Sequence, residues 1–126
     1  MNIYVAHARK FDFKNELYLP LRQSSLNDEY EILLPHEFSE ALFSSKEFFD
    51  KECDLLVVEA SYGATGVGIE AGWADAYGVP IIAMYRSGMK MSGSLRPMCN
   101  AIIEYDSTDE MVSRLEREIL LLENRS

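Results

Sequence analysis

The chain has no basic run, no apolar stretch long enough to span a bilayer, and none of the common phosphate-loop signatures. Of its 126 residues, 12 are Lys or Arg and 21 are Asp or Glu, a formal charge of −9. So acidic a balance argues against a nucleic-acid groove or a membrane-surface patch, and neither a nucleic-acid polymer nor a membrane is expected as a partner. A small anionic ligand stays compatible, because backbone amides and one or two cations can hold it locally. There are only two cysteines, Cys53 and Cys99, without metal-ligand spacing. Free thiols are therefore expected, and no metal site. The first residues already read as a buried strand, and the expected location is the cytoplasm. Gly63, Gly66 and Gly68 read G-x-x-G-x-G, which is not the dinucleotide order, and no Gly-Lys-Ser/Thr follows. That argues against a nicotinamide dehydrogenase or an NTPase.

What is present is an alternation. Apolar, β-prone runs occur at residues 2–7, 29–35, 54–60, 79–85 and 101–105. Helical stretches separate them. The first, FKNELYLPLRQSSL, has Asp12 as its expected N-cap and contains Pro20, which should kink or split it. Others are expected over about 44–52, from near Gly66 to Gly78, and over 108–123, where Met111, Val112, Leu115, Ile119 and Leu122 fall at helical spacing. This order predicts an α/β protein: a three-layer doubly wound (Rossmann/flavodoxin-like) domain with about five parallel strands, one domain over 1–126.

In such a sheet, ligands gather at the carboxyl ends of the strands. His7 and Arg9 follow the first strand, His36 and Glu37 the second, Glu59 to Tyr62 the third, and Tyr85 to Ser94 the fourth. Glu70 is expected in the first turn of the helix after the third strand, where the helix dipole would keep it ionised and suited to act as a nucleophile. Gly66 and Gly68 beside it either admit a ligand to the backbone or serve only to turn the chain and pack the helix. Trp73 is read as core or interface, on a different helical face from Glu70.

The segment Gly-Val-Gly-Ile-Glu70-Ala-Gly-Trp-Ala, preceded by DLLVVEAS and followed by GVPIIAMYR, resembles the nucleoside 2-deoxyribosyltransferase superfamily. It is particularly similar to the small 2′-deoxynucleoside 5′-phosphate N-hydrolase branch. The opening IYVAHAR is similar to that family's first strand, and Ser94 falls where the branch places a phosphate-binding serine. The resemblance implies cleavage of the N-glycosidic bond of (deoxy)nucleoside 5′-monophosphates without metal or cofactor. Glu70 would attack the anomeric carbon to form a covalent glycosyl-enzyme, and Tyr4 would orient it. Arg9, His7, Thr65, Ser94 and the amides around Gly66 and Gly68 would hold the substrate. The partner implied is a small nucleoside or nucleotide. A homodimer or higher homo-oligomer is also implied, with Ser94 supplied by the neighbouring subunit.

The pattern departs from that family in two places. Lys46 stands where an acidic residue is expected, with Glu47 or Asp50 as substitutes if the register slips. Ala64 stands where the hydrolase branch has a second phosphate serine and the transferases an aspartate; Thr65 is adjacent. The general acid is thereby left open among His36, Glu37 and Asp50. Base exchange by a deoxyribosyltransferase and nucleotide binding without catalysis are the alternatives to hydrolysis.

Overall fold

Mostly aliphatic and β-branched residues form the strands in a computed structural model of the chain, which describes residues 1–38 and 46–125. The strands are β1 (Asn2–His7), β2 (Glu31–Leu33), β3 (Leu55–Glu59), β4 (Ile81–Arg86) and β5 (Ala101–Tyr105). All neighbours pair in parallel, in the order β2-β1-β3-β4-β5. β3 lies mid-sheet and is buried at every residue. An unbroken apolar run such as LLVV is what a strand covered on both faces requires.

The covering elements are a π-helical turn (Lys14–Tyr18) continuing into α1 (Leu19–Arg22), then α2 (Ser25–Glu29), α3 (Lys46–Lys51), α4 (Thr65–Ala76) and α5 (Thr108–Glu123). Successive strand side chains point to opposite faces. Ile3, Val5, Leu55 and Val57 accordingly pack with Leu17, Leu21, Met111, Leu115 and Ile119 on one side. Tyr4, Ala6, Leu56 and Val58 pack with Phe49, Val67, Ala71 and Ala74 on the other. The result is a three-layer α/β Rossmann-like fold with the expected five parallel strands.

Local departures from expectation have local causes. Asp12 does not cap the first helix through its side chain. Its carboxylate accepts from the Asn15 amide at 3.0 Å, and Phe13, already helical, occupies the cap position. Pro20 does divide the helix: the Leu19 N–H reaches back five residues to the Lys14 carbonyl, and Pro20 falls in the first turn of α1, where its missing donor is tolerated. β2 is three residues long, shorter than its apolar run. Of the helix expected over 44–52, Ser44 and Ser45 lie outside the described residues.

The end of α4 is fixed by Gly78, whose φ of 73° is left-handed. Its N–H bonds the Asp75 carbonyl at 3.2 Å and the Val79 N–H bonds that of Ala74 at 2.8 Å. This is the paired closure that a glycine just past a helix permits. α5 starts on Ser107, whose hydroxyl accepts the Glu110 N–H, while the Glu110 carboxylate accepts the Asp106 N–H at 2.7 Å. No helix among the described residues is long and apolar enough to cross a membrane.

Candidate active site

From β1 the chain crosses to β2 on one side, and from β3 to β4 on the other, so loops diverge at the β1–β3 boundary. A crevice opens at such a boundary. Here it is a cavity of about 430 Å³ whose lining includes Tyr4, His7, Arg9, His36, Gly66 and Glu70. That volume suits a small ligand.

Tyr4 is 1% exposed. Its ring packs against Phe49 of α3 at 4.9 Å and Phe48 at 5.9 Å between centroids. This packing delivers the Tyr4 hydroxyl to the Glu70 carboxylate, to whose Oε2 it donates. Glu70 is half-buried and is the sixth residue of α4, not in its first turn as expected. The helix dipole fades beyond the first turn, so it contributes less to ionising Glu70 than the sequence reading supposed. Trp73, three residues on, lines the same cavity. The reading that put it on another helical face is corrected: residues i and i+3 are neighbours on a helix.

A second polar chain occupies the β1–β2 side. His7, 8% exposed, meets the Ala8 carbonyl through Nδ1 at 2.8 Å and the Tyr18 hydroxyl through Nε2 at 2.6 Å. A carbonyl only accepts, so Nδ1 carries the proton. Burial lowers the His7 pKa to about 4, so the ring is neutral and Nε2 is an acceptor. The Tyr18 O–H therefore donates to His7, and its oxygen accepts the His36 N–H at 3.0 Å. Burial pushes Tyr18 up to about 12, which keeps it a phenol. The His36 ring stands edge-on to His7 at 5.7 Å. Its Nδ1 is buried with no hydrogen-bond partner among the described residues.

The remaining candidates divide. Arg9, with its neighbour Lys10, lines the cavity and brings positive charge to an acidic protein. Gly68 and Ser94 line a separate hollow of about 340 Å³, together with Lys90 and Ser92. The two spaces share Ala64 and Val67. Thr65 opens α4, exposed, and is in the lining of neither. Glu37 is turned away into a bidentate ion pair with Arg22, both contacts 2.8 Å. The Arg22 guanidinium holds its carboxyl below the usual range, so it is a poor proton donor. Asp50 is exposed on α3 and lines neither space, as does Lys46 at the start of that helix.

A Cβ built on Gly66, Gly68 or Gly72 would meet no atom within 4 Å. Close helix-to-sheet packing therefore does not explain these glycines, and open space beside the backbone is left. Cys53 and Cys99 are free thiols, as expected. Among the described residues no three His, Cys, Asp or Glu side chains come together as a metal site. Sequence reasoning missed Lys10, Trp73 and Tyr18. Trp73 had a usable signal in its spacing from Glu70; Tyr18 had none, because its contact with His7 depends on how the π-helical turn lies over β1.

No protein-family profile matches the chain. It is 35% identical over 74 residues to the "Putative 2'-deoxynucleoside 5'-phosphate N-hydrolase 1" of Syntrophotalea carbinolica, covering 56% of this chain and 52% of that protein. The chain thus spans about half the length of the curated relative it matches. Its fold is that of a CMP N-glycosidase from Clostridium botulinum: TM-score 0.62 and 22% identity over 92% of this chain and 99% of the other. The matched relative bears the name of the N-hydrolase branch that the motifs resemble, and the structural likeness is one of fold.

Proposed function

We propose that this chain, as a single domain, cleaves the N-glycosidic bond of nucleoside 5′-monophosphates. The observation that carries this reading is the hydrogen bond from Tyr4 to Glu70 inside a cavity whose rim also bears Arg9 and Lys10. A Glu70 oxygen attacks the anomeric carbon as the bond from that carbon to the base nitrogen breaks. The base leaves with the bonding electrons and takes up a proton, and the sugar phosphate stays esterified to Glu70. Water then displaces the carboxylate at the same carbon, freeing the sugar phosphate. Arg9 and Lys10 attract the 5′-phosphate, and the exposed amide backbone at Gly66 lets it approach.

Of the three candidates for protonating the base, His36 is supported by its position in the cavity lining. Glu37 is paired with Arg22, and Asp50 is not in the lining. Ser94 lines the neighbouring hollow and not the Glu70 cavity of its own chain, and in the proposed homodimer it serves the Glu70 cavity of a second subunit.

The test is a panel of deoxyribo- and ribonucleoside monophosphates incubated with the protein, with free base followed by chromatography. Base release is expected, and Glu70→Ala should abolish it. Tight nucleotide binding without release would instead indicate a silent binding protein, and base exchange without net hydrolysis a transferase.

A further inference from the structure

The His36 ring is not held by its own hydrogen bond at Nδ1, which is buried and lacks a partner among the described residues. Its place in the cavity wall is set from outside, and the π-helical turn and α1 supply the means. Tyr18 and Arg22 are four residues apart, a spacing that puts both side chains on one face of a helical segment. Tyr18 is 4% exposed, and its oxygen takes the backbone N–H of His36 at 3.0 Å. Arg22 grips the next residue, Glu37, through Nε and Nη2 at 2.8 Å each. The same guanidinium is anchored in turn to the Ile32 carbonyl at 3.1 Å and the Asn27 side chain at 3.0 Å.

The segment after β2 is thus pinned on both sides of the His36 Cα, by a phenol on one bond and a planar fork on the other. His7 completes the arrangement. It accepts the Tyr18 proton and so leaves the phenol oxygen to the His36 N–H. In the neutral ring His7 Nδ1 carries the proton to the Ala8 carbonyl, so Nε2 can only accept from Tyr18.

We propose that Tyr18 and Arg22 are positioning residues that hold His36 in the wall of the Glu70 cavity, Tyr18 through the His36 backbone and Arg22 through Glu37. The inference rests on the proposed role of His36, and one measurement separates the two. The clamp is read by NMR, as exchange of the His36 amide proton and the shifts of its ring carbons; the chemistry is read as base release from a nucleoside monophosphate. In Tyr18→Phe the His36 amide loses its acceptor, and its exchange should rise about tenfold or more while β3 amides keep their protection. The turnover rate kcat should fall about tenfold with KM within about twofold, the pattern of a lost transition-state contact.

Arg22→Lys keeps the charge but not the fork and should give a smaller change of the same kind. Its side chain is about one-third exposed, so this variant should fold even if Tyr18→Phe does not. Unchanged His36 exchange and ring shifts in both variants would overturn the clamp, as would an unchanged kcat in an active enzyme. If the wild-type protein releases no base while the variants still show the His36 exchange and ring-shift changes, the clamp is retained and only the hydrolytic reading is lost.

Discussion

The Tyr4 hydroxyl on β1 donates to the Glu70 carboxylate on α4, joining two elements 66 residues apart in the chain. A phenol donating to a carboxylate holds its orientation, and in the proposed reaction this aims Glu70 at the anomeric carbon. Tyr4→Phe keeps the ring packing against Phe49 and removes that donor. Hydrogen bonds to charged groups contribute about 1.5–3 kcal/mol, so base release should slow about 10- to 100-fold. A urea titration should show a stability loss no greater than about 1.5–3 kcal/mol, with the variant still folded at assay temperature. Undiminished kcat would remove Tyr4 from the mechanism.

Ser94 offers a test of assembly as well as chemistry. If it serves a partner's Glu70 cavity, then Glu70→Ala and Ser94→Ala proteins, each inactive or weak alone, should restore one intact site per mixed dimer. Random exchange of subunits in a two-fold dimer would bring activity to about one quarter of wild type. Recovery no greater than the sum of the two separate proteins would place Ser94 outside any shared site.

Glu59 is a buried carboxylate that the proposed chemistry does not use, 1% exposed. It accepts the Ser61 N–H at 2.6 Å and the Ser61 hydroxyl at 3.0 Å, together with the Tyr105 hydroxyl. Tyr105→Phe withdraws one hydrogen-bond partner from a buried carboxyl group. The unfolding free energy in urea should fall by about 1–3 kcal/mol. A loss within experimental scatter would mean that the Ser61 contacts satisfy Glu59 by themselves.

His7 gives stability a pH dependence of known sign. Its pKa falls from 6.5 to about 4 on folding, because burial opposes the charged form. Between those values the unfolded chain binds more protons than the folded one. The His7 contribution is therefore fully present above pH 6.5 and is lost progressively as pH falls toward 4. The whole effect is about 3 kcal/mol at most. Urea titrations should show stability dropping between pH 6.5 and 5, and a His7→Gln protein, less stable throughout, should have a flatter profile in that window. Equal slopes in the two proteins would show that other groups set the dependence.

The sheet was legible because its signal is collective: five apolar, β-prone runs alternate with helical stretches, and the central LLVV and IIAM cores suit strands covered on both faces. The helix of residues 108–123 was legible for the same reason, and its buried Met111, Leu115 and Ile119 recur at four-residue intervals. Single-residue readings fared differently. Asp12 had the right chemistry for a cap, but the π-helical turn took Phe13 into the cap position. Glu70 was visible as a carboxylate after a strand, whereas its place beyond the first turn follows from a helix that already begins at Thr65, before the glycines. Glu37 and His36 looked equivalent in sequence, adjacent and polar at one strand end. Arg22, fourteen residues earlier than His36, separates them by pairing with one and leaving the other in the cavity wall.

Ala64 and Val67 belong to two chambers at once. A side chain enlarged at either position to narrow the Glu70 cavity would also intrude on the hollow holding Ser94 and Lys90. Variation at these positions is therefore constrained twice. Adaptation of this scaffold to a bulkier or slimmer ligand is easier at walls that face one chamber only, such as Ile69 and Trp73, than at the partition between them.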